Sequence, residues 1–192
     1  MSTTKPIRKA EDIKALKDYF LHEKHNLRDY AMVCLGLNSA LRISDLLSLT
    51  WDDVYDFENG RFRQHITITE RKTGKQTENA LNRNAAKALE SYRDSLPGVT
   101  GGTFLFPGRG GGRPLSRSQA YRILRSAGRA LHFEKDISCH SLRKTFGYHA
   151  WKMGVQPAVL MQIFNHSSFQ VTKRYLGIEQ DDIDQVFLEI NL

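Results

Sequence analysis

The chain has 192 residues, with 28 Lys+Arg against 21 Asp+Glu, a formal net charge of +7 and a pI near 9.5. That length fits one domain with at most a small appendage, and 40% apolar residues suffice for a core. No apolar run approaches the roughly 18 residues of a membrane span, the N-terminus lacks a signal-like stretch, and Cys34 and Cys139 make no disulfide framework. We therefore expect a cytoplasmic protein with reduced thiols, not a membrane protein, a secreted disulfide scaffold or a disordered chain.

Two helices are predicted early in the chain. Apolar residues recur every three or four positions over residues 27–41, which predicts a helix with one buried face. Ser44 then offers an N-cap hydroxyl for a short second helix that ends near Leu49.

A β-hairpin is predicted next. Residues 63–69 alternate between polar and apolar side chains, as in a half-buried strand, and a second polar stretch covers residues 76–81. The turn signal Thr73-Gly74 between them predicts a hairpin whose tip, residues 71–75, is strongly charged.

The middle of the chain combines a helix, a short strand and a loop. We predict a helix over residues 84–95, stopped by Pro97-Gly98, and a short strand at residues 104–106. Residues 107–114 form a basic, glycine-rich loop. It is not a nucleotide-binding P-loop, because no Gly-Lys-Ser/Thr follows it.

The second half is predicted to be helical. Ser116 and Gln119 form a capping-box pattern for a helix that runs to about Leu131. Further helices are predicted at residues 141–153, 157–164 and 168–175, and a last one from Asp181, with an apolar stripe of Ile183, Val186, Phe187 and Ile190. The fold class is therefore mainly α with a small antiparallel β-sheet.

Positive charge is concentrated in one segment. Residues 101–152 carry 10 basic and 2 acidic side chains, whereas residues 153–192 carry 2 basic and 5 acidic ones. Such a block in a folded domain favours a polyanionic partner, most commonly nucleic acid. The alternative is an ordinary solvated face.

Several polar residues lie beside the predicted apolar stripes. Arg42 lies at the junction of two apolar helices, and Asp45, one helical turn further on, could hold its guanidinium as a simple structural brace. His140 and Arg143 share a helix face, and His166 precedes Tyr175 by nine residues. Taken singly, each of these residues is commonly structural.

As an ordered set, these residues resemble the tyrosine recombinase, or phage integrase, family. The family pattern is an Arg, a hairpin Lys, His-x-x-Arg, then His and a Tyr nine residues later. The matching positions are Arg42, Lys72, His140, Arg143, His166 and Tyr175. The resemblance covers about residues 7–190 and implies the catalytic-domain fold of these DNA breaking-rejoining enzymes.

The resemblance implies site-specific recombination through a 3′-phosphotyrosine. Arg42 and Arg143 would hold the nonbridging phosphate oxygens as planar, always-charged forks. His166 and, more peripherally, His140 would donate further hydrogen bonds or assist proton transfer. Tyr175 would be the nucleophile, and neighbouring cations would favour its phenolate.

The remaining roles also follow from the resemblance. Lys72 would protonate the leaving 5′-oxygen, with Lys75 as the rival position, and Asp45 would orient Arg42. No metal or nucleotide is implied, because the bond energy is stored in the phosphotyrosine. His140, His149 and His166 lack a convincing zinc spacing.

Two positions depart from the family pattern. Asn165 stands where the family usually has Gly before the second His, and Lys144 stands where it often has His. The first departure could alter a helix turn. The second retains a positive charge that could reach a backbone phosphate.

The expected partner is double-stranded DNA. The family implies a homotetramer on DNA, a monomer or weak oligomer when free, and a nucleoid-associated protein of bacterial or phage origin. Apart from Lys144 and Lys75, the candidate DNA contacts are Arg117, Arg122 and Arg125 of the basic helix.

We expect residues 1–192 to form a single catalytic domain. Because Arg42 is so near the start, we expect no N-terminal DNA-clasping domain. The chain is then either the catalytic part of a longer protein or a short member such as the fimbrial phase-switch invertases. Residues 177–192 form a C-terminal helix and tail, whose apolar stripe packs either in cis or against a neighbouring protomer.

Two other functions fit parts of the pattern. The helix pair of residues 27–49 and the basic block would also fit a noncatalytic DNA-binding module. That module would not need a tyrosine in register with His166. A type IB topoisomerase-like strand transferase would use the same cleavage chemistry without partner exchange, but the short length and the Lys-Thr-Gly hairpin favour the recombinase.

Overall fold

The computed structural model describes residues 4–69, 74 and 76–190. In chain order the helices are α1 (Ala10–Asp18), α2 (Leu27–Asn38), α3 (Ile43–Ser48), α4 (Arg83–Asp94), α5 (Arg117–Ala130), α6 (Cys139–Lys152), α7 (Pro157–Phe164), α8 (Phe169–Leu176) and α9 (Gln180–Glu189). The strands are β1 (Tyr55–Asp56), β2 (Arg61–Phe62), β3 (His65–Thr69) and β4 (Gln76–Ala80). Within these ranges, no helix is long and apolar enough to cross a membrane.

The mainly α architecture is confirmed, with the small β component divided between two hairpins. Strands β1 and β2 pair antiparallel, and β3 pairs with β4 in the register His65 opposite Ala80 to Thr69 opposite Gln76. Ile66 and Ile68 on β3 point into the core, while the alternate positions are exposed.

The segment 104–106 does not form the predicted strand. Phe104 makes an isolated bridge to Thr50, and the Leu105 amide donates to the Leu49 carbonyl at 2.7 Å. The Phe106 carbonyl instead accepts from the Leu115 amide at 2.8 Å. Because these backbone groups bond to different segments, the run of buried apolar residues gives no continuous ladder.

Helix α2 forms the centre of the core. Its residues from Ala31 to Leu37 are buried between one cluster that includes α3, β3 and α4 and a second that includes α1, α5 and α6. Gly36 permits the close approach of α6, because a Cβ there would lie 2.7 Å from Leu142 Cδ1. This packing fixes α6 and the end of α2 relative to each other.

The chain turns sharply between α2 and α3. Helix α2 ends at Asn38, three residues before the predicted end, because Ala40 adopts a left-handed conformation with φ of 54°. The N-cap of α3 is Arg42, and the predicted cap Ser44 lies inside the helix. The turn therefore places Arg42 at the start of a helix.

The apolar stripe of α9 does not pack in cis. Ile183 is 39% exposed, Val186 52%, Phe187 77% and Ile190 58%. Asp182, from the first turn of α9, is 4% exposed instead. Helix α9 therefore meets the rest of this chain through its acidic end and presents its apolar residues outward.

Candidate active site

A pocket of about 200 Å³ lies where α3, the start of α5, α6 and α8 meet. Its lining residues are Arg42, Ile43, Ser44, Arg117, His140, Arg143, His166 and Tyr175. Five of these were predicted as catalytic from the sequence. The fold thus brings together residues that come from four separate parts of the chain.

Arg143 lines the pocket and is 6% exposed. Its Nη1 donates to the carbonyl of Ala40 and its Nη2 to the carbonyl of Phe164 at 3.0 Å, with the guanidinium carbon 4.9 Å from the centroid of the Phe164 ring. A buried guanidinium stays charged, so it requires such partners. Arg143 therefore joins the α2–α3 turn to the end of α7.

Arg42 enters the pocket from the N-terminus of α3. Its carbonyl accepts from the amides of Asp45 and Leu46, both at 2.9 Å, which fixes its backbone as the helix start. Asp45 is 4% exposed and accepts a hydrogen bond from the Ser44 hydroxyl at 3.3 Å. That Asp45 orients the Arg42 guanidinium stays a prediction.

Asn165 ends α7 in a left-handed conformation, with φ of 51° and ψ of 50°. This conformation explains the departure from the family pattern. Glycine is the usual residue in such a cap, and Asn is the residue that replaces it with least strain. The turn directs the next residue, His166, away from the axis of α7 and into the pocket.

His166 is fixed on three sides. Its Nδ1 lies 3.1 Å from the Thr172 hydroxyl, its ring stacks on Phe164 at 5.4 Å, and its ring centroid lies 5.1 Å from that of Tyr175. Burial lowers the pKa of His166, and the charges of Arg143 and Arg42 lower it further. The imidazole is therefore neutral at pH 7 and can accept a proton.

Tyr175 lies in the last turn of α8, half-buried against Phe164 and His166. Burial raises its pKa, while Arg143, by charge and by a hydrogen bond, and Arg42 by charge act in the opposite direction. The two arginines lower the pKa of Tyr175 as expected, but burial outweighs them and the pKa lies above its usual value. The free pocket therefore holds a protonated phenol.

His140 and Lys144 border the pocket from α6. His140 is exposed, and its pKa is lowered by partial desolvation and by the charges of Lys144, Arg143 and Arg117. Lys144 Nζ donates to the carbonyl of Thr4 at 2.6 Å and lies 5.6 Å from the Tyr175 ring centroid. The DNA contact suggested for Lys144 stays a prediction.

The two hairpin lysines, Lys72 and Lys75, lie outside the described residues. The antiparallel strands β3 and β4 that flank them in the chain confirm the predicted pairing, and Gly74 adopts a φ of 68°. That Lys72, rather than Lys75, is the general acid stays a prediction.

The three arginines of α5 differ in their surroundings. Arg117 is exposed and lines the pocket, and Arg122 lines a separate cavity of about 470 Å³ together with Arg28 and Arg109. Arg125 is engaged within the chain, with Nη1 2.6 Å from the Tyr121 hydroxyl and Nη2 3.0 Å from Asp136. Arg117 and Arg122 are thus better placed to meet a ligand.

Sequence reasoning missed the residues that support the pocket. Thr172, which is fully buried and bonds His166, and the ring of Phe164 both hold catalytic candidates in place. Neither carries a motif, because their roles depend on how α7 packs against α8. Among the described residues, no group of three or more His, Cys, Asp or Glu could hold a metal ion.

Comparison with known proteins agrees with this geometry. The phage integrase family matches residues 8–181. The chain is 39% identical over 181 residues to YoeC, a probable integrase/recombinase of Bacillus subtilis, across 94% of this chain and 93% of that protein. It is 30% identical over 168 residues to FimE, a type 1 fimbriae regulatory protein of Escherichia coli, across 86% and 82%.

The fold is also similar to that of the XerA recombinase crystal structure. The TM-score is 0.77 at 22% identity, across 100% of this chain and 68% of that one. At that identity the likeness concerns the fold, and it confirms the expected catalytic-domain architecture.

Proposed function

The chain belongs to the phage integrase family of tyrosine recombinases, and we propose that its pocket cleaves and rejoins DNA with Tyr175 as the nucleophile. The reaction is site-specific DNA recombination through a covalent 3′-phosphotyrosine and a free 5′-hydroxyl. The observation that carries the proposal is that Arg42, Arg143, His166 and Tyr175 line one pocket.

Arg143 and Arg42 are the proposed phosphate ligands. An in-line attack on a phosphodiester places additional negative charge on the nonbridging oxygens, and fixed guanidinium groups stabilise that charge without reorganising. The buried position of Arg143 and its two backbone acceptors support this role, because they hold the guanidinium in one place before DNA binds.

Proton transfer from Tyr175 is assigned to His166. The phenol is protonated in the free pocket, and the neighbouring imidazole is neutral, with ring centroids 5.1 Å apart. When a phosphate enters, the nucleophile must lose its proton as the O–P bond forms. His166 is the nearby group in the correct protonation state to receive it, directly or through water.

The other roles follow from family membership. Lys72 protonates the departing 5′-oxygen, Asp45 orients Arg42, and His140 donates a hydrogen bond to the phosphate from the pocket mouth. The bond energy retained in the phosphotyrosine drives religation, so the cycle needs no cofactor.

Double-stranded DNA is the proposed partner, bound as a homotetramer. The basic segment 101–152 supports the first part, since phosphate contacts supply much of the affinity for DNA. The outward apolar side chains of α9 support the second, because they offer a surface for a neighbouring protomer. Such a contact is the family precedent for the C-terminal segment.

Covalent trapping tests the proposal. A pool of nicked suicide duplexes with randomised centres is incubated with the protein and denatured, and the retained DNA is sequenced. We expect an adduct that is lost in Tyr175→Phe and kept in Tyr30→Phe, which removes a hydroxyl from α2 outside the pocket. Equal adducts in wild type and Tyr175→Phe would overturn the assignment of the nucleophile.

The same reagents separate the alternatives. A noncatalytic DNA-binding module would retain duplexes only before denaturation. A topoisomerase-like strand transferase would form the adduct and relax supercoils, but would not exchange strands between two duplexes. Strand exchange between two copies of the selected duplex is the result that the recombinase predicts.

A further inference from the structure

Residues 4–8, which form neither helix nor strand, lie along α6 and are named here the strap. The amide of Ile7 donates to the Thr145 hydroxyl at 2.8 Å, and Ile7 itself is 4% exposed. The carbonyl of Thr4 accepts from Lys144 Nζ, whose ammonium lies over the Tyr175 ring. The strap is therefore bonded to the helix that carries Arg143.

The strap also contacts the turn that follows the proposed nucleophile. Gly177 ends α8, two residues after Tyr175, with φ of 68°. A Cβ at Gly177 would lie 2.8 Å from Cδ of Pro6. The turn thus requires glycine for its conformation and for its close contact with the strap.

Beyond this turn, Glu179 forms ion pairs with three cationic side chains. Lys5 Nζ lies 2.9 Å from its carboxylate, Arg8 Nη1 3.0 Å and Lys135 Nζ 3.2 Å. The hydrogen bond from Lys5, followed by the bond and charge of Lys135, lowers the pKa of Glu179 to about 2. Two of the three cations come from the strap.

Arg8 joins Glu179 to α9. Its Nη2 lies 2.7 Å from Asp182 and 3.1 Å from Asp181. The side chain of Asp182 is 2% exposed and also accepts from the Tyr148 hydroxyl at 3.2 Å. Lys152 Nζ lies further from the same carboxylate, at 3.7 Å. Because a buried carboxylate is costly without a close cation, the position of the first turn of α9 depends mainly on Arg8.

Charge, more than apolar packing, secures α9 to this chain. Val186, Phe187 and Ile190 are each more than half exposed, whereas Asp182 is buried against Arg8. The last turn of α8, which carries Tyr175, is linked to this ionic cluster through the Gly177 turn.

We infer that Arg8 is a positioning residue for Tyr175, acting through Glu179 and Asp182 on the turn that follows the nucleophile. With Arg8 in place, the turn fixes the end of α8 and the phenol faces Arg143 and His166. Without it, Asp182 loses its close cation and the segment from α8 into α9 opens more often. The catalytic part of this inference rests on the proposed function.

Hydrogen exchange on the full chain without DNA tests the structural part. Arg8→Gln is expected to speed exchange of the amides of residues 176–186 by about tenfold, since it leaves the buried carboxylate of Asp182 without its nearest cation. Arg8→Lys keeps the charge but loses the planar fork whose two nitrogens contact Glu179 and Asp182, so we expect partial rescue, with exchange about threefold faster than in wild type. Lys14→Gln breaks the exposed Lys14–Asp18 pair on α1 and should leave this segment unchanged.

Exchange in wild type should also depend on salt, because the partners of Glu179 are partly exposed. Raising the ionic strength should speed exchange of residues 176–186 in wild type and also in Arg8→Gln, because Lys5 and Lys135 remain paired with Glu179. Should Arg8→Gln fold poorly, Lys135→Gln removes an exposed cation from the same carboxylate and should give a smaller change in the same amides.

Single-turnover adduct formation tests the catalytic part. Arg8→Gln is expected to slow it about tenfold at saturating DNA, with unchanged DNA affinity and with Arg8→Lys in between. Unchanged exchange in Arg8→Gln overturns the inference, and so does faster exchange with an unchanged adduct rate. A wild-type protein that forms no adduct would contradict the proposed function instead. The exchange data alone would then test whether Arg8 stabilises the turn.

Discussion

Arg143 and Tyr175 are in contact in the free pocket. The guanidinium carbon lies 6.0 Å from the centroid of the tyrosine ring, and a hydrogen bond from Arg143 is among the interactions that lower the pKa of the phenol. The proposed phosphate ligand and the proposed nucleophile thus form a unit before DNA arrives, so a phosphate bound to Arg143 is delivered next to Tyr175.

Replacing Arg143 should separate catalysis from DNA binding. Arg143→Lys keeps a charge but loses the planar fork, so we expect adduct formation to fall at least 100-fold, on the scale of losing one preorganised donor in a catalytic site. DNA affinity, measured by anisotropy, should change little. Arg61→Lys on β2, an exposed arginine outside the pocket, is the matched control.

Arg143→Ala should have an additional cost in stability. It leaves the carbonyls of Ala40 and Phe164 without their donor, which costs about 1–3 kcal/mol for each buried group left unsatisfied. Thermal unfolding of the alanine and lysine variants should therefore differ. Equal adduct rates in Arg143→Lys and wild type would contradict the proposed role.

The conformation of Asn165 gives a second prediction. Asn165→Gly should keep both stability and adduct rate, whereas Asn165→Ala should lose about 1–2 kcal/mol, or a few degrees in Tm, because alanine is strained in the left-handed region. The adduct rate should also fall, since the turn aims His166. His25→Ala, at a φ of 48° outside the pocket, should cost stability only. A normal adduct rate in Asn165→Ala would show that this turn does not position His166.

On the acid side, the pH profile of adduct formation should follow the ionisation of His166. Burial and two arginines lower the pKa of His166, so the neutral base persists to pH values below the reference of about 6.5. At saturating DNA, adduct formation should therefore rise with pH to a plateau already reached at pH 7. Because burial raises the pKa of Tyr175, no second rise is expected below about pH 10.

The variant His166→Asn should lose the acidic limb of that profile as well as activity. His140 also titrates low and faces the pocket, so His140→Asn is the necessary comparison and should keep the limb. A limb that stays in His166→Asn and vanishes in His140→Asn would exchange the two roles.

The residue pattern predicts five of the residues that line the pocket, whereas Lys72, from the same pattern, lies outside the described residues. Helical periodicity alone places His140 and Arg143 on one face of a helix, and their proposed roles come from the family resemblance. The sequence also predicts the capping box at the start of α5, where Ser116 and Gln119 form the expected reciprocal hydrogen bonds. Local chemistry decides such features, and local chemistry is visible in sequence.

Features set by long-range contacts were not predictable. The prediction of a strand at residues 104–106 is wrong because the backbone groups of this segment bond to two different segments of the chain. Helix α2 ends early at the positive φ of Ala40, and no glycine stands there to signal such a turn in the sequence. The stripe on α9 has the period of a core helix, but the residue of α9 that is buried is Asp182, paired with Arg8, and the stripe is exposed. In each case a tertiary interaction outweighs a local preference.

The salt dependence of DNA binding tests the division among the α5 arginines. Each phosphate contact contributes about 0.9 to the slope of log K against log salt concentration. Arg117→Gln and Arg122→Gln should each lower that slope by about 1. Arg125→Gln should change it less, because Arg125 is already paired with Asp136 and Tyr121. Equal changes in all three would place Arg125 on the DNA as well, and no change in any would remove α5 from the interface.

The most direct test of the account is to identify the residue that becomes attached to DNA. The trapped adduct is digested with nuclease and protease, and the modified peptide is sequenced by mass spectrometry. We predict a nucleotide on the hydroxyl of Tyr175, linked through the 3′-phosphate, with the 5′-hydroxyl on the released strand. A nucleotide on another of the seven tyrosines or on a serine, or a linkage through a 5′-phosphate, would contradict the account.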